Sequence, residues 1–257
     1  MCLVALAWKC HPRWHLLLVG NRDEFHDRPT AALAPWPAPQ TGVLAGRDLR
    51  SGGSWAGVNA RGQLAVVTNV RDPRARLTGP SRGQLVAGFL AGATGAADYL
   101  DHLQPQASAY PPFNLVVADA GYCGYLGNHP IQRQELAPGL HGISNGPLAP
   151  AWPKTARLLD RLGDWIAGGS DGLAPLWSAL ADEQPAADAA LPDTGIGIAR
   201  ERLLSATFIR GPQYGTRAST VVAIAGDGSG FICERRFGAN GTPLGQTRIE
   251  LAATGDR

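Results

Sequence analysis

A cysteine stands directly after the initiator methionine, at the head of Met1-Cys2-Leu3-Val4-Ala5-Leu6-Ala7-Trp8. Removal of an initiator Met requires a small second residue, and Cys qualifies. Its loss leaves a thiol and a free α-amine on one residue. An α-amine titrates near ~7.7–8.0 and a thiol near ~8.5, so at neutral pH part of the amine is an unprotonated base beside its own nucleophile. That pairing is the chemistry of N-terminal nucleophile catalysis, in which the chain start supplies both groups. The plain alternative is a small residue that permits Met removal and packs in a core. A second concentration of chemistry is Asn21-Arg22-Asp23-Glu24, which follows the apolar run Leu16-Leu17-Leu18-Val19-Gly20. Asn69, Asn114 and Asn145 lie at the ends of further apolar runs. A side-chain amide there can donate to a developing oxyanion, and it equally suits a turn. Arg217, in Tyr214-Gly215-Thr216-Arg217, precedes one more such run.

Strands must carry most of these groups. The run 2–8 has no polar face and reads as a strand covered on both sides. With 15–20 it forms a hairpin with a long, Pro-containing turn. Residues 30–42 are rich in Pro and Ala and read as an irregular excursion. Residues 52–59 and 63–69 read as two strands joined at Asn59-Ala60-Arg61-Gly62. Ser81-x-x-Gln84 is a capping-box pattern before a helical run to Leu90, and a second helix covers 96–103. Strands follow at 113–118, 122–126 and 140–144. Helical spacing spans 152–167, with Ala156, Leu159, Leu162 and Ile166 on one face, and 172–180 is a further helix. Residues 183–200 read as a loop, and 203–209, 219–225, 230–236 and 246–252 as strands. Strands and helices come in blocks rather than in steady alternation, which indicates antiparallel sheets covered by helices.

Composition excludes several classes. With 44% hydrophobic and 17% charged residues over 257 positions, the chain can bury a sizeable core. Its 23 basic and 21 acidic residues leave a net charge of +2 without a basic run, which argues against nucleic acid as the main partner. No run reaches the ~18 apolar residues of a membrane span. The charges after Trp8 lie on the wrong side for a secretory signal. Cysteines at 2, 10, 123 and 233 form no Cys-x-x-Cys pair, and a reduced, cytoplasmic setting is expected. Cys10, His11 and His15 lack a second cluster at zinc spacing, so no metal is expected. No phosphate loop or dinucleotide fingerprint is present.

Met1-Cys2, Asn21-Arg22-Asp23-Glu24, Gly53-x-Trp55-x-Gly57, Thr68-Asn69, Phe113-Asn114-Leu115, Gly142-x-Ser144-Asn145 and Tyr214-Gly215-Thr216-Arg217 fall in the order of one family. From Cys2 to the last strand the chain resembles the NRDE family, also called the Transport and Golgi organization family. The resemblance implies an α+β, N-terminal-nucleophile-hydrolase-like fold: a four-layer αββα sandwich of two mainly antiparallel sheets, with 1–257 as a single domain. It implies kinship with cysteine acylases of the penicillin V acylase and bile-salt hydrolase type. The activity so implied is cleavage of a non-peptide C–N amide bond in a small acylated substrate. On this chain Cys2 is then the nucleophile, Asp23 orients its amine, Asn69 and Asn145 bind the oxyanion or the substrate, and Arg217 lowers the thiol pKa. Asn21, Arg22 and Trp55 are the substrate-binding candidates. No cofactor is required. Family links to haem trafficking and to acyl-lipid or acyl-CoA metabolism imply an alternative, a non-catalytic carrier of haem or of such an apolar ligand.

In the acylases the corresponding Arg and Asp are separated by two residues, whereas Arg22 and Asp23 are adjacent. Successive strand side chains point to opposite faces. Asn21 and Asp23 are therefore expected on one face and Arg22 on the other, turned from the thiol. Cys2, Asp23, Asn69, Asn145 and Arg217 are expected to line one cavity.

Overall fold

In the computed structural model, which describes residues 2–75, 77–169 and 171–255, the chain opens with β1 (Cys2–Trp8) and β2 (Trp14–Phe25). Then come β3 (Thr30–Pro35), β4 (Val43–Asp48), β5 (Ala56–Asn59) and β6 (Leu64–Asn69). Helices α1 (Gly83–Ala91) and α2 (Ala96–Leu103) lead to β7 (Phe113–Ala118), β8 (Cys123–Asn128), β9 (Ile131–Glu135) and β10 (Gly139–Ile143). The last part holds α3 (Pro153–Ala167), α4 (Ala174–Leu180), α5 (Ile198–Leu203), β11 (Tyr214–Ala225), β12 (Gly230–Phe237) and β13 (Pro243–Leu251). Two sheets result, with strand orders β10-β1-β2-β11-β12-β13 and β3-β4-β5-β6-β7-β8-β9, and the pairings between neighbouring strands are antiparallel.

β1 shows why the sheets stack. Cys2, Val4, Leu6 and Trp8 pack between the sheets with Val58, Val66 and Val116 of the other sheet. Leu3, Ala5 and Ala7 face the opposite way, against Leu158 and Leu162 of α3 and Leu176 and Leu180 of α4. A strand apolar on both faces is stable only between two covering layers. The seven-stranded sheet is covered on its outer face by α1 and α2, through Leu85, Phe89 and Leu100 against Val67, Leu115 and Leu126. The layers therefore run helix, sheet, sheet, helix, and the fold is the α+β sandwich of antiparallel sheets that the sequence implies. Among the described residues, no helix is long and apolar enough to cross a membrane.

Four stretches differ from expectation. Residues 30–35 are not irregular: β3 is an edge strand paired with β4, where Pro is tolerated because one side of the strand has no ladder to supply. β9 is the opposite edge, and its exposed residues Ile131 and Gln132 hide the usual alternation. Residues 203–209 are not a strand. α5 ends at Leu203, and Ser205 to Ile209 are buried by packing on the outside of the six-stranded sheet rather than by pairing into it. In α3 the buried stripe is Lys154, Thr155, Leu158, Leu162 and Trp165, rotated from the face expected of Ala156, Leu159 and Ile166.

Candidate active site

Cys2 opens β1 and stands directly opposite Arg22 of β2. Opposed residues of an antiparallel pair share a face, so the thiol and the guanidinium both look between the sheets. Asn21 and Asp23 look the other way, as strand alternation requires. The alternation expected along Asn21-Arg22-Asp23 is present, but Arg22 is not turned from the thiol. The thiol lies on the Arg22 face, and Asp23 lies behind it. Met1, whose removal the sequence leads one to expect, lies outside the described residues.

The thiol opens on a cavity of about 300 Å³, walled by Arg22, Asp23, Glu24, Arg28, Asp48, Ser54, Trp55, Thr68, Asn69 and the segment Ser81-Arg82-Gly83. Arg22, only 5% exposed, lies over the Trp55 ring at 4.5 Å and 3.7 Å from Asp48. Asp48 also takes the Nε–H of Arg28 at 2.6 Å. Trp55 can occupy this place because residue 46 is glycine: a Cβ there would lie 2.2 Å from the ring. Gly53 has the same role opposite α1, where a Cβ would meet the Gly83 backbone at 2.3 Å. That close approach brings Arg82, at the head of α1, to the cavity; its Nη1 donates to the Pro112 carbonyl at 3.0 Å. The Ser81 hydroxyl accepts the Gly83 N–H at 3.3 Å and the Ser81 carbonyl accepts the Gln84 N–H at 3.0 Å, so a turn stands where the capping box was expected.

Asn69, at the end of β6, is on the cavity wall. Asn145 is not. It is fully buried behind Asn69, and its Nδ2 donates to the Asn69 carbonyl at 2.9 Å. Its place is one of support: Ser144 beside it donates to the Cys2 carbonyl at 3.4 Å and accepts, at its own carbonyl, the Thr68 hydroxyl. Asn114 belongs to the same support. It donates to the carbonyls of Ser144 and Gly146 and accepts the Tyr125 hydroxyl at 2.7 Å.

Arg217 and Asn21 also stand away from the cavity wall. Thr216 pairs with Asp23 and Ala218 with Arg22, so Arg217 is the extra residue of a β-bulge. The bulge turns its guanidinium onto the carbonyls of Phe25, His26 and Arg28, at 2.8, 3.3 and 3.1 Å. It fastens the turn after β2, and the cation that shares a face with the thiol is Arg22. The Asn21 amide donates to the carbonyls of Leu180 and Thr207, both at 2.8 Å, and accepts the Ser219 hydroxyl. It ties the outer layer to the sheet one position from Asp23.

Burial governs the charges. It pushes the Cys2 thiol above its ordinary value; Asp23 and Glu24 push the same way, and Arg22 opposes them. Asp23, 1% exposed, is likewise raised by burial, against the pull of Lys154, the Thr216 hydroxyl and Arg22. That hydroxyl donates to Asp23 Oδ1 at 2.7 Å. Lys154 gives no functional signal in the sequence. A helix lysine ordinarily reads as solvent-facing, but four residues before Leu158 it falls on the buried stripe of α3. Among the described residues no group of three or more His, Cys, Asp or Glu is placed to hold a metal. Among the described residues, Cys2 is the one soft ligand on the cavity wall, whose other groups are mostly charged and hydroxylic.

The geometry can be set beside known proteins. A profile of the family described as Transport and Golgi organisation 2 matches residues 1–239. The Transport and Golgi organization protein 2 homolog of Bos taurus is 33% identical over 256 residues, which is 91% of this chain and 92% of that protein. The Homo sapiens homolog is 31% identical over 260 residues, with the same shares. Among solved structures, the chain is similar to a Caenorhabditis elegans N-acylethanolamine-hydrolyzing acid amidase ortholog at 8% identity, covering 88% of this chain and 93% of that one, with a TM-score of 0.48. It is also similar to a mutant conjugated bile acid hydrolase from Clostridium perfringens at 11% identity, covering 96% and 92%, with a TM-score of 0.45. By the profile and the two mammalian relatives together, the chain belongs to the Transport and Golgi organisation 2 family.

Proposed function

We propose that the chain is an N-terminal-nucleophile cysteine amidohydrolase that cleaves a non-peptide C–N amide bond in a small acylated substrate. The observation that carries this is the setting of Cys2: its thiol is on a cavity wall with Asn69, and burial holds it protonated at neutral pH. Such a thiol needs a base within one residue, and the α-amine of a processed Cys2 is that base.

In the first step the thiol proton passes to the α-amine as sulfur attacks the amide carbonyl. A C–S bond forms and the carbonyl π pair moves to oxygen. Asn69 supplies the side-chain amide on the wall that can donate to that oxyanion. When the oxyanion collapses, the C–N bond breaks and the leaving nitrogen takes the proton from the α-ammonium. The thioester is then attacked by water, which gives its proton to the same amine; the acid leaves and the thiol is restored. Asp23, at the end of β2 behind the thiol, orients the amine. Asn145 acts through Asn69, whose backbone it holds. Arg22, Arg82 and Trp55 form the part of the wall that a substrate's polar portion would meet.

The test is a screen of N-acyl amides of graded chain length against wild type and Cys2→Ala, reading release of free amine. Hydrolysis by wild type that vanishes in Cys2→Ala is the expected result. Equal rates in the two proteins, or none with any acyl amide, would contradict the assignment.

A further inference from the structure

Lys154 is the second residue of α3 and is 1% exposed. Its Nζ has no hydrogen-bond partner among the described residues. An ammonium in such a place is strongly disfavoured unless nearby charge offsets its lost hydration. The charged and titratable groups facing it are Asp23 of β2, Arg71 beyond β6, Glu201 of α5 and Cys2 of β1. Tyr214 of β11 belongs to the same cluster, with its hydroxyl held protonated by burial. α4, packed beside α3, brings no charged residue, and β10 brings His141, whose ring nitrogen is engaged by the Ala137 carbonyl at 2.7 Å.

The ion pairs around Cys2 leave little for a further cation to do. Arg71 holds Glu201 at 2.5 Å. Arg28 and Arg22 share Asp48, and Arg28 also reaches Glu24 at 3.8 Å. Asp23 has the Lys154 ammonium in its field, although Nζ makes no hydrogen bond to it. Each of these carboxylates has a cation before the α-amine of a processed Cys2 is counted. A proton on that amine would be a surplus charge in a buried place.

We propose that Lys154 is a positioning residue acting by charge: it takes up the field of Asp23, so that the Cys2 α-amine is held as the free base. This rests on the hydrolase reading above and supplies what that reading needs, an unprotonated amine at neutral pH. Burial lowers Lys154 itself to about 8, so the ammonium persists at the pH where the amine must accept a proton.

The amine can be titrated without any catalysis. In a Cys2→Ser background, which removes the thiol, the probe is potassium cyanate, which carbamylates only unprotonated amines. The extent at the N-terminus is read from the mass of the N-terminal peptide across pH 5 to 9. With Lys154 present, half-maximal carbamylation is expected below the ~7.7 of an ordinary α-amine. Lys154→Met and Lys154→Gln should raise that midpoint by about one unit, a roughly tenfold slower reaction at pH 6.5, and Lys154→Arg should restore it. An N-terminus starting at residue 2 whose midpoint ignores both neutral variants overturns this proposal alone. Retained Met1 overturns the hydrolase reading and this one together. Loss of cooperative urea unfolding in both neutral variants makes Lys154 a purely structural residue and also overturns it.

Discussion

Asn114 separates a supporting role from a catalytic one, and its replacement can be costed. Asn114→Leu keeps the approximate shape of the side chain and removes both amide functions. The Tyr125 hydroxyl, on a side chain 2% exposed, loses its acceptor, and the buried Gly146 carbonyl loses its donor at 2.9 Å. The Ser144 carbonyl keeps the Thr68 hydroxyl. Each buried group left unpaired costs about 1–3 kcal/mol, so the two together cost about 2–6 kcal/mol. That is a large part of the ~5–15 kcal/mol by which a typical domain is stable. Urea unfolding followed by tryptophan fluorescence should show the midpoint falling without a change of slope. Tyr125→Phe in the same chain removes the orphaned hydroxyl, so the double variant should recover about 1–2 kcal/mol relative to Asn114→Leu. A single variant within about 0.5 kcal/mol of wild type, or a double variant no more stable than the single, would refute the network as drawn.

Glu234 accepts the Leu33 N–H at 2.9 Å across the two sheets, and burial raises it to about 6. Because that exceeds the ~4.3 of an unfolded Glu, its stabilising contribution is complete only below ~4.3 and is lost as pH rises through its folded value. Glu234→Gln, which keeps the acceptor, should match wild type near pH 4 and be about 2 kcal/mol more stable at pH 8 by thermal unfolding; a constant difference across that range would contradict the buried charge. Arg217→Met should destabilise by about 1–3 kcal/mol through the three carbonyls it leaves without their donor. It should leave the pH profile of Cys2 alkylation by iodoacetamide in place, and a shift of that profile would return Arg217 to the thiol's field. Gly46→Ala should cost about 1–3 kcal/mol by driving the Trp55 ring off Arg22, seen as a changed tryptophan emission; unchanged emission and stability would show that the stack has room to move.

The sandwich was legible because its inner strands are written plainly. A run such as 2–8, apolar on both faces, has to lie between two layers, and the hairpins into Asp23 and Asn69 follow from their turns. The edge strands β3 and β9 were not legible, because their half-exposed residues carry no alternation to read. Residues 205–209 misled for the opposite reason: they are buried, but by packing rather than pairing. Within the site, Cys2, Asp23, Asn69, Arg22 and Trp55 reach one cavity, as strand ends and their neighbours can. Arg217 does not, because a one-residue bulge reverses a side chain and leaves no mark in a hydrophobic pattern. Asn145 was placed in the right neighbourhood, but its amide is spent on the Asn69 backbone. The alternation along β2 is legible, but the inference from it that Arg22 turns from the thiol fails, because the face taken by the thiol depends on the β1–β2 register, with Cys2 opposite Arg22, which sequence alone does not fix.

The central claim is that Cys2 attacks as an N-terminal residue, and the mass of the N-terminal peptide tests it directly. Protein incubated at pH 7 with an N-acyl amide that wild type cleaves is quenched in acid, digested and analysed. A peptide that begins at Cys2 and carries the acyl group as a thioester is the predicted result. A peptide that still begins at Met1, or one that begins at Cys2 and stays unmodified while the acyl group is found elsewhere on the chain, would contradict it.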